Sequence, residues 1–305
     1  MHPNSSQKLS KRLINGILLL DKPEGITSNQ ALQTVKRLFA AKKAGHTGSL
    51  DPLATGMLPL CFGEATKFSQ FLLEADKAYW VSAFLGKKTR TGDAEGEVIE
   101  TRPISPSCFA SLETVLSKFR GVISQIPPMF SALKFRGKPL YELARQGITI
   151  ERTPREVTVH LLRLLDTTDN SINLEIKCSK GTYIRTLIED IGEALGCGAY
   201  VQRLRRVSVG NYAEKSMVSL EKLEAFSQEE RDRCLLPLES LLQSCIILKV
   251  SQAAAYYLEH GQPILLPHAP KSGWVRLYTA GDRFMGIGEI LADGRVAPRR
   301  LIEAS

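Results

Sequence analysis

Residues 45–59, Gly-His-Thr-Gly-Ser-Leu-Asp-Pro-Leu-Ala-Thr-Gly-Met-Leu-Pro, constrain this chain more than any other stretch. Three glycines and two prolines in fifteen positions predict a shaped loop rather than a helix or a long strand. Asp51 is its one carboxylate. Pro52 fixes the backbone just after the acid and biases Asp51 towards an extended conformation. The neighbours Leu50, Leu53, Met57 and Leu58 are apolar. An acid so placed has two readings. One is a turn or helix cap, since Asp-Pro commonly opens turns. The other is a catalytic carboxylate pre-positioned in a partly dry pocket.

The 305 residues favour one large domain and a smaller one, and 43% hydrophobic content is enough for a sizeable core. A net charge of +8 suggests a polyanionic partner, nucleic acid first and an anionic membrane surface second. No apolar run approaches the roughly 20 residues of a membrane span. Residues 1–13 are polar and basic, without the apolar centre of a secretory signal, so a mobile tail and a cytoplasmic location are expected. The six cysteines (Cys61, Cys108, Cys178, Cys197, Cys234, Cys245) contain no C-x-x-C pair, and the five histidines are dispersed. Neither a disulfide framework nor a metal site is indicated.

Several motifs fail on context. His46, Ser49 and Asp51 lie too close along one loop for a hydrolase triad, and G-x-S-x-G is missing. No G-x-x-x-x-G-K-[ST] supports an ATP-driven reaction. Gly286-x-Gly288 lies between predicted strands, so it is no dinucleotide fingerprint.

Along the chain, residues 14–20 read as a buried strand and 21–25 as a turn. Thr27-x-x-Gln30 has the spacing of a capping box opening a helix with Leu32, Val35, Leu38 and Phe39 on one face. Further helices are predicted at 64–73, 108–119, 140–146 and 183–195, with strands at 77–85, 97–100, 157–165, 171–178 and 200–209. Residues 86–96 read as a polar loop and 210–242 as mainly helical. Beyond a boundary near Ser244, short glycine-punctuated strands at 246–250, 274–278, 284–290 and 295–298, with a helix at 252–259, suggest a small β-barrel. Residues 126–155 form a basic excursion: between Lys134 and Arg155 stand six basic residues against two acids. It is either a solvated surface or an arm that grips phosphates, with Phe130, Phe135 and Tyr141 available for packing or stacking.

The 45–59 loop resembles motif II of the TruB family, the bacterial tRNA pseudouridine synthases that modify uridine 55 of the T-loop. Other matches follow in the family's order: Asp21-Lys22-Pro23-x-Gly25-x-Thr27-Ser28, Lys77-x-Tyr79, Gln125-x-Pro127-Pro128-x-x-Ser131-Ala132-x-Lys134, Gly137-x-x-x-Tyr141-x-x-Ala144-Arg145-x-Gly147, Cys178-Ser179-Lys180-Gly181-Thr182-Tyr183-Ile184-Arg185 and Leu204-Arg205-Arg206. Ser49 stands where alanine is frequent, and Arg90 where Asp is often seen in a Thr-x-Thr-x-Asp loop.

The resemblance implies an α/β (α+β) pseudouridine synthase fold. A mixed, largely antiparallel central sheet is flanked by helices at 14–244, with a basic thumb at about 126–155 and a small C-terminal PUA-like β-barrel at 245–305. It implies tRNA as partner, through the T-arm and elbow, and no cofactor, metal, membrane or obligatory protein partner, with the chain acting as a monomer. Asp51 becomes the essential carboxylate, attacking C1′, adding to uracil C6 or removing the 2′ proton. Arg185 becomes its ionic partner and Tyr79 the ring that stacks on the flipped uracil. His46, Tyr183 and Leu204 become substrate-binding residues. Lys22, Lys134, Arg145, Arg205 and Arg206 become phosphate contacts. A tRNA-folding chaperone is the alternative, served by the basic arm and C-terminal domain, and the two roles can coexist.

Overall fold

In the computed structural model, residues 11–303 are described. Residues 1–10 of the expected tail lie outside them. Arg12 is already docked: it bridges Ala41 and pairs with Asp232 at 2.6 Å.

The first half of the chain gives β1 (Gly16–Lys22), α1 (Ser28–Leu38), β2 (Ala44–His46), β3 (Thr55–Phe62), α2 (Ser69–Glu74) and β4 (Lys77–Leu85). Next come the ribbon β5 (Lys87–Thr89) and β6 (Val98–Thr101), α3 (Pro106–Ala110), α4 (Leu112–Ser117) and β7 (Gly121–Gln125). The basic excursion holds β8 (Lys134–Phe135), β9 (Lys138–Pro139) and α5 (Leu140–Arg145). Then follow β10 (Arg155–Thr167), β11 (Ser171–Cys178), α6 (Ile184–Ala194), β12 (Ala199–Val209), β13 (Tyr212–Ala213), β14 (Val218–Ser219), α7 (Leu220–Ala225) and α8 (Gln228–Arg233). The C-terminal part has β15 (Ile246–Val250), α9 (Gln252–Glu259), β16 (Gly273–Thr279), β17 (Phe284–Ile290) and β18 (Val296–Leu301).

Ten strands make the central sheet, with backbone order β14-β1-β3-β12-β4-β11-β10-β7 and β2 and β13 attached to β3 and β12. Only β1–β14 and β3–β12 pair in parallel, so the sheet is mixed and mostly antiparallel. Alternate residues of β4 (Tyr79, Val81, Ala83, Leu85) and of β11 (Ile172, Leu174, Ile176) face a core closed by α1, α4 and α6. The capping box at Thr27 and Gln30 forms as the sequence predicts and starts α1. A second core joins the far face of β1 and β3 (Ile17, Leu19, Met57, Cys61) to Leu238, Leu241, Leu242 and to Phe284 and Ile287 of β17. The small C-terminal sheet, order β15-β16-β17-β18, thus gains the packing support that so few residues need.

Several elements differ from their sequence signal. The glycine- and proline-rich stretch is a loop only over 47–54; Thr55 to Pro59 belong to β3. Pro59 is tolerated there because its nitrogen faces the side where its carbonyl already accepts from the Thr47 N–H (3.1 Å), beyond the end of β2. Asp21 and Lys22 extend β1 rather than turning. The predicted helix 64–73 begins as a 3-10 segment, Gly63–Phe68, and only then becomes α2. The predicted helix 108–119 breaks at Ser111, whose hydroxyl donates to the Ser107 carbonyl. The stretch after β12 alternates short strands and helices instead of staying helical.

Gly56 fixes how β3 meets β12. These strands pair only through Arg205–Thr55 and Arg206–Gly56. Gly56 has φ +96°, and a Cβ there would lie 2.3 Å from the Arg206 carbonyl oxygen. Gly56→Ala is expected to cost more than about 2 kcal/mol in denaturant unfolding, against the few tenths of a surface change.

Candidate active site

The loop around Asp51 is held at nearly every neighbouring peptide. Ser28, at the start of α1, donates its hydroxyl to the Leu50 carbonyl (2.9 Å) and accepts from the Leu50 N–H (2.7 Å). The Lys22 ammonium donates to the carbonyls of Pro23 (2.8 Å), Ile26 (2.7 Å) and Pro52 (3.2 Å), and the Gly25 N–H also reaches Pro52 O. Arg206 sends Nε to Met57 O (2.7 Å) and Nη2 to Gly48 O (3.0 Å). Asp51 therefore projects from a backbone fixed on both sides.

Three of the expected phosphate contacts are corrected by these bonds. Lys22 is 0% exposed and Arg206 2% exposed, each spending its donors on loop carbonyls. Arg205 is engaged by Asp21 at 2.9 Å and Glu214 at 2.7 Å. Burial lowers the Lys22 ammonium to about 8 and the Lys77 ammonium to about 8. Lys77 likewise faces backbone oxygens, those of Leu72 (3.1 Å), Leu73 (2.8 Å) and Ala75 (2.5 Å), and so caps the end of α2. Lys134 and Arg145 stay exposed on the excursion, with Arg136 and Lys138. There Arg136 and Gly137, both at positive φ, make the two-residue turn between β8 and β9. The Arg136 guanidinium lies 5.3 Å from the Phe135 ring centre, and that of Arg145 lies 5.5 Å from Tyr141. Arg152, also counted as basic surface, bonds the Ile150 and Pro127 carbonyls.

Arg185, in the first turn of α6, meets Asp51 across the chain: its Nε lies 3.0 Å from Asp51 Oδ2. Its Nη1 donates to Thr91 O (2.9 Å) and stands 3.5 Å from Asp93 Oδ2, while Nη2 donates to Phe130 O (2.7 Å). One guanidinium thus ties the acid loop to the loop after β5 and to the base of the basic excursion. Burial pushes the Asp51 carboxyl above its ordinary value; Arg185, then Lys22, pull it back, and Asp93 adds to the rise. The ion pair offsets desolvation without overcoming it.

A cleft of about 350 Å³ opens over this pair. Tyr79, Tyr183 and Leu204 line it with Asp51 and Arg185. Tyr79 and Arg206 are directly paired across β4 and β12, so they share one face. Burial raises both tyrosine hydroxyls, which keeps them neutral at ordinary pH. Gln125 holds Tyr183 from behind, accepting from its N–H (3.0 Å) and donating to its carbonyl (3.2 Å). His46 is not in the cleft wall. It ends β2, half-buried, with its imidazole pushed towards the neutral form by burial and by Arg206, and with Nδ1 unpartnered.

Asp93, Ser28 and Gln125 carry site geometry to which the sequence assigned no role, although Ser28 and Gln125 stand within the family matches. Asp93 was within reach, since Thr89, Thr91 and Asp93 alternate in one polar loop. The departure at Arg90 is harmless: its side chain is exposed and faces Glu97 at 3.8 Å, while Asp93 supplies the buried carboxylate. Ser28 was masked by its place in a helix start. Among the described residues no group of three or more His, Cys, Asp or Glu side chains could hold a metal ion.

An ionised acid here can act as nucleophile or base, whereas its protonated form cannot. The acid limb of the kcat/KM profile is expected above the usual aspartate range, and Arg185→Gln should move it higher still by removing the main charge that favours ionisation. A pH series under single-turnover conditions checks this; an unmoved or lower limb contradicts it.

The TruB family pseudouridylate synthase N-terminal domain profile matches residues 36–184. The tRNA pseudouridylate synthase B C-terminal domain matches 185–243, and the pseudouridine synthase II TruB C-terminal region matches 247–302. The chain is 56% identical over 307 residues to tRNA pseudouridine synthase B of Coxiella burnetii (strain RSA 493 / Nine Mile phase I), covering 99% of each chain. It is 57% identical over 301 residues to that of Pseudomonas fluorescens (strain Pf0-1), covering 97% of this chain and 98% of the other. A solved Cbf5-Nop10-Gar1 complex contains a chain of similar fold, with TM-score 0.70 and 25% identity over 94% of this chain and 84% of that one. An archaeal box H/ACA Nop10-Cbf5 complex gives TM-score 0.70 at 23% identity, over 98% and 88%. With its sheet, its loop acid and its cleft walls accounted for, this chain belongs to the TruB family of pseudouridine synthases.

Proposed function

We propose that this chain converts uridine 55 in the T-loop of tRNA to pseudouridine, with Asp51 as the catalytic carboxylate. The observation that carries the reading is the Asp51–Arg185 ion pair under a cleft walled by Tyr79, Tyr183 and Leu204. The reaction breaks the bond from uracil N1 to ribose C1′, turns the base and joins C5 to C1′. It exchanges bonds of similar strength, so the enzyme must supply access, an activated group and confinement. A base inside a folded RNA loop has to be flipped out first.

Asp51 has three available first steps: attack on C1′, addition to C6, or removal of the 2′ proton to leave a glycal. Each needs the ionised acid, which Arg185 and Lys22 favour. Tyr79 stacks on the extruded ring, a contact worth about 1–3 kcal/mol for a base on an aromatic side chain. Tyr183 and Leu204 keep the released uracil from escaping. His46, outside the cleft wall, contacts the RNA around the flipped position.

We assign 14–244 to the catalytic domain, 126–155 to an RNA-gripping arm, and 245–305 to a PUA-like domain, with the whole acting on tRNA in the cytoplasm as a monomer. Support for the arm comes from its exposed Lys134, Arg136, Lys138, Arg145 and Arg155. No helix among the described residues is long and apolar enough to cross a membrane.

Asp51→Asn should abolish tritium release from tRNA carrying 5-tritiated uridine and leave filter-bound tRNA affinity largely intact; full activity in that variant would sink the assignment. If the arm's cations neutralise phosphates, log affinity should fall with log salt by roughly 0.7–0.9 per contact. Replacing Lys134, Arg136 and Lys138 together by alanine should flatten that slope, and an unchanged slope would remove the arm from the RNA interface.

A further inference from the structure

A second cavity, of about 380 Å³, opens on the outer face of the central sheet. Tyr79 and Leu204 wall the catalytic cleft, so strand alternation turns their neighbours Trp80 and Arg205 to the other side. Over β1 and β3 that side is covered by the second core. Over β4 and β11 it is open, and Trp80, 47% exposed, stands in the cavity wall.

Two β-bulges shape the cavity. β12 carries an extra residue between Val201 and Arg203, and β10 one between Leu164 and Asp166. A bulge sets two residues of its strand against one of the partner and re-aims their side chains. Gln202 and Arg203 thus stand against Ser82, with Gln202 Oε1 accepting from the Ser82 hydroxyl (3.4 Å). Leu165 and Asp166 stand against Asn173. Asn173 is itself paired with Ser82, so Asp166, Asn173, Ser82 and Arg203 form one row across four strands, and all four line the cavity. The row ends in a carboxylate and a guanidinium, about 14 Å apart at the backbone over three strand spacings. The row through Trp80 neutralises its charges, Glu175 with Arg163 at 2.5 Å and Arg205 with Asp21 at 2.9 Å. Among the described residues Asp166 and Arg203 form no ion pair, and both are exposed. The Asn173 amide donates to Asp166 Oδ1 (2.5 Å), which orients the carboxylate.

We propose that this cavity binds a guanine base, stacked on Trp80 between Arg203 and Asp166. On one edge of guanine O6 and N7 accept, and a guanidinium meets both with two N–H donors. On the next edge N1–H and the N2 amino group donate, and a carboxylate accepts from both. The indole supplies the face for stacking. Adenine reverses the pattern at both ends: its N6 amino group meets the guanidinium and its bare N1 meets the carboxylate. The base comes from a free guanine nucleotide or from an unpaired guanosine in RNA, and the recognition is the same. No bond is made or broken, and the site lies across the sheet from Asp51.

Trp80 and Trp274 are the two tryptophans of the chain, so in full-length Trp274→Phe protein the fluorescence reports Trp80. GMP should quench it saturably at concentrations below about 10 mM, with AMP about tenfold weaker or more, as a bidentate base contact discriminates. Arg203→Ala and Asp166→Asn, each placed in this Trp274→Phe background, should each weaken GMP by about tenfold at unchanged melting temperature, since both side chains are exposed. Asp51→Asn should bind GMP as well as its parent does, so failure of the pseudouridine reading leaves this site standing. The heptamer UUUGUUU binding more tightly than GMP, with UUUUUUU not binding, identifies RNA as the source. A heptamer no tighter than GMP identifies the free nucleotide. The inference is overturned by absence of saturable quenching with GMP, by equal affinities for GMP and AMP, or by GMP binding unchanged in both Arg203→Ala and Asp166→Asn.

Discussion

Buried cations holding backbone carbonyls are the constraint on which this site depends. A loop shaped to present one acid turns many of its peptides away from regular pairing, and unsatisfied carbonyls inside a protein are costly. Arg206 and Lys22 resolve this from opposite sides, Arg206 reaching Gly48 and Met57, and Lys22 reaching Pro52. Among the described residues neither charge has a direct carboxylate partner, and burial pulls Lys22 well down in basicity. The positive charge left under the loop is the environment in which Asp51 ionises.

Arg185 extends that logic to three parts of the chain. Its contacts with Asp51, with Thr91 and Asp93, and with Phe130 give the acid loop, the loop after β5 and the basic excursion one shared anchor. The excursion is therefore tied to the acid through the Phe130 carbonyl. Asp93 completes the guanidinium's coordination while raising the Asp51 carboxyl, so geometry and ionisation pull in opposite directions here.

Much of the architecture was legible because local signals agreed with tertiary demand. The strand at 77–85, the helix at 252–259 and the strand at 284–290 fall where alternation or helical spacing puts them. The meeting of Asp51 with Arg185 was expected from the family resemblance alone, since by itself Arg185 reads equally well as a surface residue of a helix. What sequence could not give was direction. Lys22, Arg205 and Arg206 read as solvent-facing charge, but their strands carry them inward or against Asp21 and Glu214. Glycine and proline likewise hid the first half of β3, because Gly56 is required for close approach and Pro59 sits where no ladder donor is needed.

Strand order has a consequence for how the molecule is made. β12 comes late in the chain, yet it lies at the centre of the sheet between β3 and β4. Before it emerges from the ribosome, β1 with β3 and β4 with β11, β10 and β7 can assemble only as two separate halves. Asp51 belongs to one half, Tyr79 to the other, and Leu204 and Arg206 to the strand still missing. Non-local pairing of this kind is slow and comes last in folding. The basic excursion is therefore synthesised before the cleft can be finished, and the cleft is complete only when the central strand closes the seam.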